Sequence, residues 1–216
     1  MIYDIFRCIG LTLGYPLQLL FFKRRTFYEK GAEPTFRRGG KLIITNHFNM
    51  FDYVLTSFVV YPRKLNVVAS EMPFKSKITR FGMKFFGAIQ ANRETRSMRF
   101  MDECVRVINS GQLVQIYPEG RNTDDGQIHE FKHSYLVIAH RAKSPIVPIV
   151  TDGNYGPLKR ASVIIGKEID VSELIKSDAR TPSREELESA NAYVFARVLE
   201  LRRELEERKH KKSKRG

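Results

Sequence analysis

Short apolar runs alternate with amphipathic stretches along most of this chain, and this pattern predicts its elements. Each apolar run is rich in valine, isoleucine and leucine and is bounded by turn residues, as is typical of buried strands. The predicted strands are 41–45, 65–69, 88–91, 113–117, 146–150 and 161–165. The predicted helices between them are 50–60, 74–86, 95–109 and 132–142. Strands that alternate with helices predict an α/β fold, in which helices flank a central, mostly parallel sheet.

The chain begins with an apolar segment that lies outside this alternation. Residues 8–22 carry no charge and precede the cations Lys23, Arg24 and Arg25. The run is shorter than the ~20 residues that a spanning helix requires, Pro16 interrupts it, and it lacks a signal-peptide cleavage site. Such a helix either packs into the core or lies in a membrane interface with its cations at anionic headgroups. We favour the second alternative and predict a membrane-associating helix.

The other end of the chain predicts one further helix and a basic tail. Ser183 and Glu186 have the spacing of a capping box, which marks the start of the helix. Its apolar stripe consists of Leu187, Ala190, Val194, Val198, Leu201 and Leu205. Residues 208–216 contain six Lys or Arg and no acid, so we expect a disordered tail that is either simply solvated or tethered to anionic lipid. The predicted regions are therefore a membrane-associating segment over 1–30, a main domain over 31–175, and the C-terminal helix with its tail over 176–216.

Composition narrows the class of partner. With 42% hydrophobic and 28% charged residues, the 216-residue chain fits one globular domain with a full core. Its net charge of +13 predicts attraction to anions: nucleic acid, anionic membranes or phosphorylated small molecules. No RNA-binding signature is present, which disfavours nucleic acid. Cys8 and Cys104 lie far apart without metal-binding or disulfide spacing, which favours a reducing compartment. We therefore predict a peripheral or monotopic protein on the cytoplasmic side of the cell membrane.

The strongest chemical signal follows the strand predicted at 41–45, where His47 precedes Asp52 by five residues. A histidine accepts a proton near neutral pH, and a neighbouring carboxylate fixes its tautomer and stabilises its charged form. No serine or cysteine nucleophile accompanies the pair, so the histidine is expected to activate a hydroxyl brought by a substrate. Taken alone, the pair is better explained as a surface histidine at a helix start with an aspartate on the helix face.

Three later segments carry polar groups at strand ends or a proline within a strand. Arg93 follows the strand at 88–91, where its guanidinium could form a fork to a phosphate. Glu119, Gly120 and Arg121 follow the strand at 113–117, and the glycine permits a sharp turn or a close ligand approach. Pro148 marks an edge, a bulge or a pocket wall, because proline donates no ladder hydrogen bond. Taken alone, Arg93 is better explained as a surface arginine of a basic protein, and residues 119–121 can also be an ordinary polar turn after a strand.

Together, these segments resemble the glycerophospholipid acyltransferase family, best known for 1-acyl-sn-glycerol-3-phosphate acyltransferase. The resemblance covers roughly residues 35–170, and the four family blocks occur in order. The first block is met by Asn46, His47 and Asp52, the second by Gly87, Ile89 and Arg93, the third by Tyr117–Gly120, and the fourth by Val147–Ile149. Two positions depart from the family pattern: Arg121-Asn122 replaces Thr-Arg, and Ser134 replaces a glycine.

The resemblance implies acyl transfer from a thioester of acyl carrier protein or coenzyme A to the hydroxyl of a lysophospholipid, without a cofactor. The expected acceptor is 1-acyl-sn-glycerol-3-phosphate, which gives phosphatidic acid; another lysophospholipid or glycerol 3-phosphate is the alternative. In this interpretation His47 is the general base and Asp52 orients it. The residues expected to hold the acceptor phosphate are Arg93, Glu119, Gly120 and Arg121, with Asn46 and Lys132 as further candidate site residues.

A competing motif is the pentad His129-Glu130-Phe131-Lys132-His133, which matches the His-Glu-x-x-His signature of zinc peptidases. That chemistry needs both histidines on one established helix and a third ligand. Here the pentad directly follows a turn at 124–126, where a helix is only starting. We therefore predict no metal site.

Overall fold

Seven strands form one sheet in the part of the chain that the computed structural model describes, which is residues 2–32, 36, 38–49, 51–70, 76–91, 98–123 and 125–213. The strands are β1 (Arg25–Tyr28), β2 (Lys41–Thr45), β3 (Leu65–Ser70), β4 (Ala88–Ala91), β5 (Leu113–Ile116), β6 (Ile146–Thr151) and β7 (Ser162–Ile165). Their order is β1-β7-β6-β2-β5-β3-β4. Every neighbouring pair is parallel except β6 and β7. The predicted α/β fold with a mostly parallel sheet is confirmed.

Helices cover both faces of this sheet. They are α1 (Ile2–Phe21), α2 (Phe51–Val59), α3 (Lys77–Phe85), α4 (Arg99–Asn109), α5 (Ser134–Ala142), α6 (Val171–Leu174) and α7 (Arg184–Ser213). In β2, Leu42 and Ile44 join the apolar cluster under α4, α5 and α7, whereas Ile43 joins the cluster under α1 and α2. Successive strand residues point to opposite faces, so a strand buried on both sides reads as a continuous apolar run. This is why the central strands were predictable.

The edge strand β1 was not predicted, because only Phe27 of its four residues is buried. Its backbone pairs in parallel with β7, where Phe27 lies opposite Ile164. A short, half-exposed strand carries too few apolar positions to give a periodic signal. Arg25, expected in the membrane-associating segment, is therefore the first residue of the sheet. The division of the chain into three regions otherwise stays a prediction.

Pro148 lies opposite a bulge in the segment that follows β7, and a bulge is one of the three alternatives predicted for it; an edge position is wrong, since β6 lies between β7 and β2. Ile149 pairs with Ile165, and Ile146 pairs with Ile169. The segment after β7 therefore carries one more residue between the two pairs than β6 does. The Pro148 carbonyl accepts the N–H of Gly166 at 2.9 Å. A Cβ on Gly166 would lie 2.8 Å from the proline ring, so the glycine makes room for it.

The C-terminal helix α7 begins as predicted and ends later than predicted. The backbone N–H of Ser183 donates to the Glu186 carboxylate at 3.0 Å and the N–H of Glu186 donates to the Ser183 hydroxyl at 3.2 Å, which is the capping box. All six residues of the predicted apolar stripe are buried. The expectation of disorder from residue 208 is wrong as far as Ser213, because Lys209 pairs with the buried Asp152 at 3.1 Å and holds this turn on the body. Residues 214–216 lie outside the described residues.

The N-terminal helix α1 packs on the body through one face and exposes the other. The buried guanidinium of Arg7 donates to the carbonyls of Leu65 at 3.1 Å and Phe86 at 3.2 Å. On the opposite face Leu13, Leu17 and Leu20 are each more than 65% exposed. None of the described helices combines the length and apolar character that crossing a membrane requires. One face of α1 thus packs on the body, which is the alternative that was not favoured, while the other face exposes leucines; association with a membrane stays a prediction.

Candidate active site

His47 lies in the turn between β2 and α2 and Asp52 in the first turn of α2, at the carboxyl edge of the sheet. One oxygen of Asp52, Oδ2, accepts the backbone N–H groups of Phe48 at 2.8 Å and Asn49 at 2.7 Å. The same oxygen lies 3.1 Å from Nδ1 of His47. Asp52 occupies the first turn of α2, where the helix dipole favours a negative charge. The local turn thus explains why a residue five positions away reaches the imidazole ring.

The second oxygen of Asp52, Oδ1, accepts from two hydroxyl groups that the sequence analysis missed. The hydroxyl of Thr151 lies 3.3 Å from Oδ1, and the hydroxyl of Tyr155 also donates to it. These two hydroxyls are 3.0 Å apart. Burial, and then the charge of Asp52, raises the pKa of Tyr155 well above its ordinary range, so the phenol keeps its proton and donates. Asp52 is fully buried, and these donors replace its lost hydration.

Thr151 could have been identified from the sequence, because it directly follows the strand predicted at 146–150. In a parallel sheet the carboxyl ends of neighbouring strands meet at one edge, which is where ligands bind in open α/β folds. Tyr155, in the loop beyond β6, carries no comparable signal.

The ring of His47 is held flat against Tyr117, with ring centroids 3.8 Å apart and an angle of 14° between the planes. Its side chain is 19% exposed, and Nε2 has no hydrogen-bond partner among the residues that the structure describes. The His47 carbonyl accepts the N–H of Thr123 at 3.0 Å and its hydroxyl at 3.2 Å. With Nδ1 against a carboxylate, Nε2 is the nitrogen left to exchange a proton with a substrate.

Glu119 does not have the geometry predicted for a phosphate ligand. Its carboxylate is buried, with Oε1 accepting the backbone N–H of His47 at 3.2 Å and Oε2 accepting that of His129 at 3.0 Å. Burial raises the pKa of Glu119, and the two N–H groups oppose that rise. Both oxygens are engaged, and a carboxylate repels phosphate. The predicted role is corrected to one of holding the His47 backbone.

Gly120 and Arg121, which were also predicted to bind phosphate, line an open cavity of about 730 Å³. It is lined by Glu119, Gly120, Arg121, His129, Glu130, Phe131 and Lys132. Gly120 has a φ of +67°, and a Cβ there would lie 2.9 Å from Nζ of Lys132, so the lysine lies against bare backbone. Arg121 is exposed at the cavity, beside Lys132. Arg93 lies outside the described residues.

Asn46 has a structural position. Its side-chain amide donates to the Thr151 carbonyl at 3.1 Å and accepts the Thr151 N–H at 2.9 Å, which continues the β2–β6 ladder beyond β2. The side chain is completely buried. These two bonds fix the residue before His47 against the strand that supplies Thr151.

The zinc-peptidase pentad has a different geometry from a metal site. His129 precedes α5, and its Nε2 lies 2.9 Å from the carboxylate of Asp125. His133 occupies the N-cap of α5. Within the described part of the chain, no three His, Cys, Asp or Glu side chains are grouped as metal ligands. His129 lies before the helix and His133 at its N-cap, so the two histidines do not share one face of an established helix.

Comparison with known proteins agrees with this site. The sequence model of the Acyltransferase family matches residues 26–152, which is more than half of the chain. The chain is 31% identical over 113 residues to human 1-acyl-sn-glycerol-3-phosphate acyltransferase beta, a match that covers 50% of this chain and 40% of the relative. It is 28% identical over 151 residues to 1-acyl-sn-glycerol-3-phosphate acyltransferase of Haemophilus influenzae, covering 64% and 62%. The matches thus span from two fifths to about three fifths of these relatives.

A solved structure shows the same fold. The crystal structure of the 1-acyl-sn-glycerophosphate acyltransferase PlsC from Thermotoga maritima superposes with a TM-score of 0.64 at 17% identity, covering 95% of this chain and 79% of that one. The family model spans the segment that carries His47, Asp52, Glu119 and Thr151. This chain belongs to the Acyltransferase family.

Proposed function

We propose that this protein transfers a fatty acyl group from an acyl thioester to the hydroxyl of a lysophospholipid, with 1-acyl-sn-glycerol-3-phosphate as acceptor and phosphatidic acid as product. The observation that carries the proposal is the contact between His47 Nδ1 and Asp52 Oδ2 at 3.1 Å, with Nε2 left unpartnered among the described residues. Relatives named as acyltransferases of that acceptor support the choice of substrate.

His47 acts as general base in this mechanism. Its Nε2 takes the proton of the acceptor hydroxyl while that oxygen attacks the thioester carbonyl carbon. The tetrahedral intermediate then collapses as the carbon–sulfur bond breaks, and the imidazolium returns the proton to the leaving thiolate. Asp52 holds the ring and stabilises its positive charge. No covalent acyl-enzyme forms, because the acceptor oxygen attacks the donor directly.

The acceptor phosphate binds in the cavity beside Gly120, between the cations of Arg121 and Lys132. Glu119 lines the same cavity and bonds to the backbone of His47, so the phosphate site and the base are connected through one side chain. Arg93, which lies outside the described residues, stays a phosphate ligand implied by the family resemblance alone. Binding the phosphate aligns the acceptor hydroxyl with Nε2, which converts binding energy into orientation.

The protein works at a membrane surface on the cytoplasmic side, with α1 as its interfacial element. The exposed leucines of α1 form an apolar face, and α3, which packs against α1, exposes Phe81 together with Lys77 and Arg80. Apolar side chains flanked by cations are the composition of an interfacial surface on anionic lipid. Of the predicted basic cluster only Lys23 is exposed, because Arg24 and Arg25 are half-buried. The cations of α3 supply the remaining charge.

A substrate panel tests the proposal. Purified protein is incubated with acyl carrier protein or coenzyme A thioesters and with 1-acyl-sn-glycerol-3-phosphate, its dephosphorylated analogue, other lysophospholipids or glycerol 3-phosphate, and products are identified by mass spectrometry. The expected result is preferential formation of phosphatidic acid, and the two donor arms identify the carrier. Folded protein that acylates no hydroxyl acceptor contradicts the function, and preference for another acceptor reassigns it.

A further inference from the structure

The C-terminal helix α7 reaches the His47 turn, although it lies beyond the segment 26–152 that the family model matches. Nη1 of Arg202 donates to the Thr151 carbonyl at 2.9 Å. The guanidinium carbon of the same side chain is 5.3 Å from the centroid of the Phe48 ring. One arginine thus contacts both the end of β6 and the residue that follows His47.

Through Thr151 and Phe48, these two contacts affect the residues on either side of the histidine. The Thr151 carbonyl also accepts the side-chain amide of Asn46, the residue before His47, so Arg202 and Asn46 share one acceptor. On the other side, Phe48 packs so closely on Gly153 that a Cβ there would lie 2.9 Å from its ring. Phe48 therefore contacts Gly153 and lies close to the guanidinium of Arg202, so loss of the guanidinium is expected to loosen the residue that follows the histidine.

Arg202 is itself fixed on α7. Its Nη2 lies 3.2 Å from the carboxylate of Glu206, one turn further along the helix. The neighbouring Leu201 and Leu205 are buried in the core, and Lys209 pairs with Asp152 at 3.1 Å. The guanidinium donates to a carbonyl through Nη1, pairs with a carboxylate through Nη2 and lies near an aromatic ring, and its fixed planar fork suits several such contacts better than a single ammonium does. The geometry therefore uses properties specific to arginine.

We propose that Arg202 is a positioning residue that holds the His47 turn in its reactive geometry, so that α7 completes the active site from outside the matched segment. The inference rests on the proposed role of His47 as general base. Arg202 acts through Thr151 and Phe48 and does not touch the substrate. Loss of Arg202 is expected to lower kcat, because a small displacement of the base relative to the reacting oxygen slows the chemical step. Acceptor binding should change little, because the phosphate site stays unchanged.

The test compares Arg202→Met and Arg202→Lys with the matched variant Arg197→Met. Arg197 lies on the same helix with similar exposure, and it pairs with Glu29 and Glu200 away from His47. In Arg202→Met we expect kcat to fall about 10- to 100-fold with little change in the acceptor KM. Arg202→Lys should recover part of that loss. Arg197→Met should keep the kcat of the wild type even if its melting temperature falls as much.

A second measurement separates this inference from the proposed function. The rate at which diethyl pyrocarbonate modifies His47, followed by peptide mass spectrometry, should change severalfold in Arg202→Met and stay unchanged in Arg197→Met. If the wild type transfers no acyl group, the proposed function falls, and the modification rate still tests the positioning. Unchanged kcat and modification rate in Arg202→Met, or equal losses in both methionine variants, would overturn the role of Arg202.

Discussion

The carboxylate of Glu119 accepts the backbone N–H of His47 at 3.2 Å, while its other oxygen accepts that of His129 at 3.0 Å. The residue follows β5 and the histidine follows β2, and these strands are neighbours in the sheet. A buried carboxylate with two backbone donors is a rigid link between two loops. Glu119, from the third family block, therefore holds in place the backbone of His47, from the first block.

Replacing Glu119 with glutamine should weaken this link. The glutamine oxygen still accepts one N–H, but its NH₂ group faces the other, so one backbone donor loses its acceptor. We expect kcat to fall about tenfold as the His47 backbone shifts. Steady-state kinetics of Glu119→Gln, with the exposed Glu185→Gln as control, measure it. A wild-type kcat in Glu119→Gln would show that the hydrogen bond between Glu119 and the His47 backbone does not contribute to catalysis.

The same variant tests the raised pKa of Glu119. Between the ordinary value of 4.5 and the raised value, the folded protein binds more protons than the unfolded chain. The contribution of Glu119 to the free energy of unfolding is therefore largest below this window and is lost as pH rises through it. Denaturant unfolding from about pH 4 to 7 should show the wild type losing stability relative to Glu119→Gln as pH rises. A difference that is constant with pH would contradict the assignment.

Removing the proposed base should abolish most of the activity. His47→Ala is expected to lower kcat by about 10²- to 10⁴-fold, the usual contribution of a general base, with a smaller effect on the acceptor KM. Asp52→Asn should be similarly damaging, because it removes the negative charge that stabilises the protonated ring of His47 and places an NH₂ group at one of two oxygens that both accept hydrogen bonds. Near-normal turnover in correctly folded His47→Ala protein would exclude the mechanism.

Tyr155→Phe should lower kcat by about tenfold, because it removes a hydrogen bond to a buried, charged carboxylate while keeping the ring. The matched variant is Tyr135→Phe, whose buried hydroxyl bonds to Asn191 at 2.9 Å, in the apolar cluster on the opposite face of the sheet. Both variants should lose stability, and only Tyr155→Phe should lose kcat. Equal kinetics in the two variants would show that Tyr155 merely supports the fold.

The phosphate site is tested by the arginines at its predicted positions. Arg121→Ala and Arg93→Ala should each raise the KM for 1-acyl-sn-glycerol-3-phosphate, and the preference over the dephosphorylated analogue should shrink. Arg93→Lys should rescue incompletely, since an ammonium lacks the guanidinium fork. The exposed Arg184→Ala serves as control for a lost surface charge. An arginine whose removal leaves the preference intact is not a phosphate ligand.

Membrane binding is tested by point substitutions, since Arg7 and Phe22 are buried in the body and deletion of α1 would disrupt it. Leu13, Leu17 and Leu20 are changed together to serine. Each leucine contributes about 1.5–3 kcal/mol when it enters an apolar phase, so vesicle flotation should be largely lost. Leu158→Ser, at a 98% exposed leucine outside α1, is the control. Full flotation of the triple variant would place the membrane contact elsewhere, most simply on α3.

Local pattern was enough for much of the fold and for the central pair. The strands buried on both faces, the capping box at Ser183 and the proximity of His47 to Asp52 depend on neighbours within five residues, which periodicity and turn chemistry govern. The missing N–H of Pro148 predicted an irregularity in the sheet, and the structure decided between a bulge and an edge. The half-exposed β1 and the helical turn after residue 208 escaped prediction, because contacts with β7 and Asp152, rather than local composition, stabilise them.

The surroundings of the pair were decided by the tertiary structure. Thr151 and Tyr155 lie about a hundred residues from Asp52 in sequence and reach it because β6 is inserted beside β2. Glu119 looked like a ligand for phosphate, and only its burial between two backbone N–H groups revealed a supporting position. Arg202, an ordinary cation on an amphipathic helix, meets Phe48 because α7 packs across the ends of β6 and β7. The residue types determine which hydrogen bonds and ion pairs can form. The order of the strands determines which of these groups lie close enough to form them.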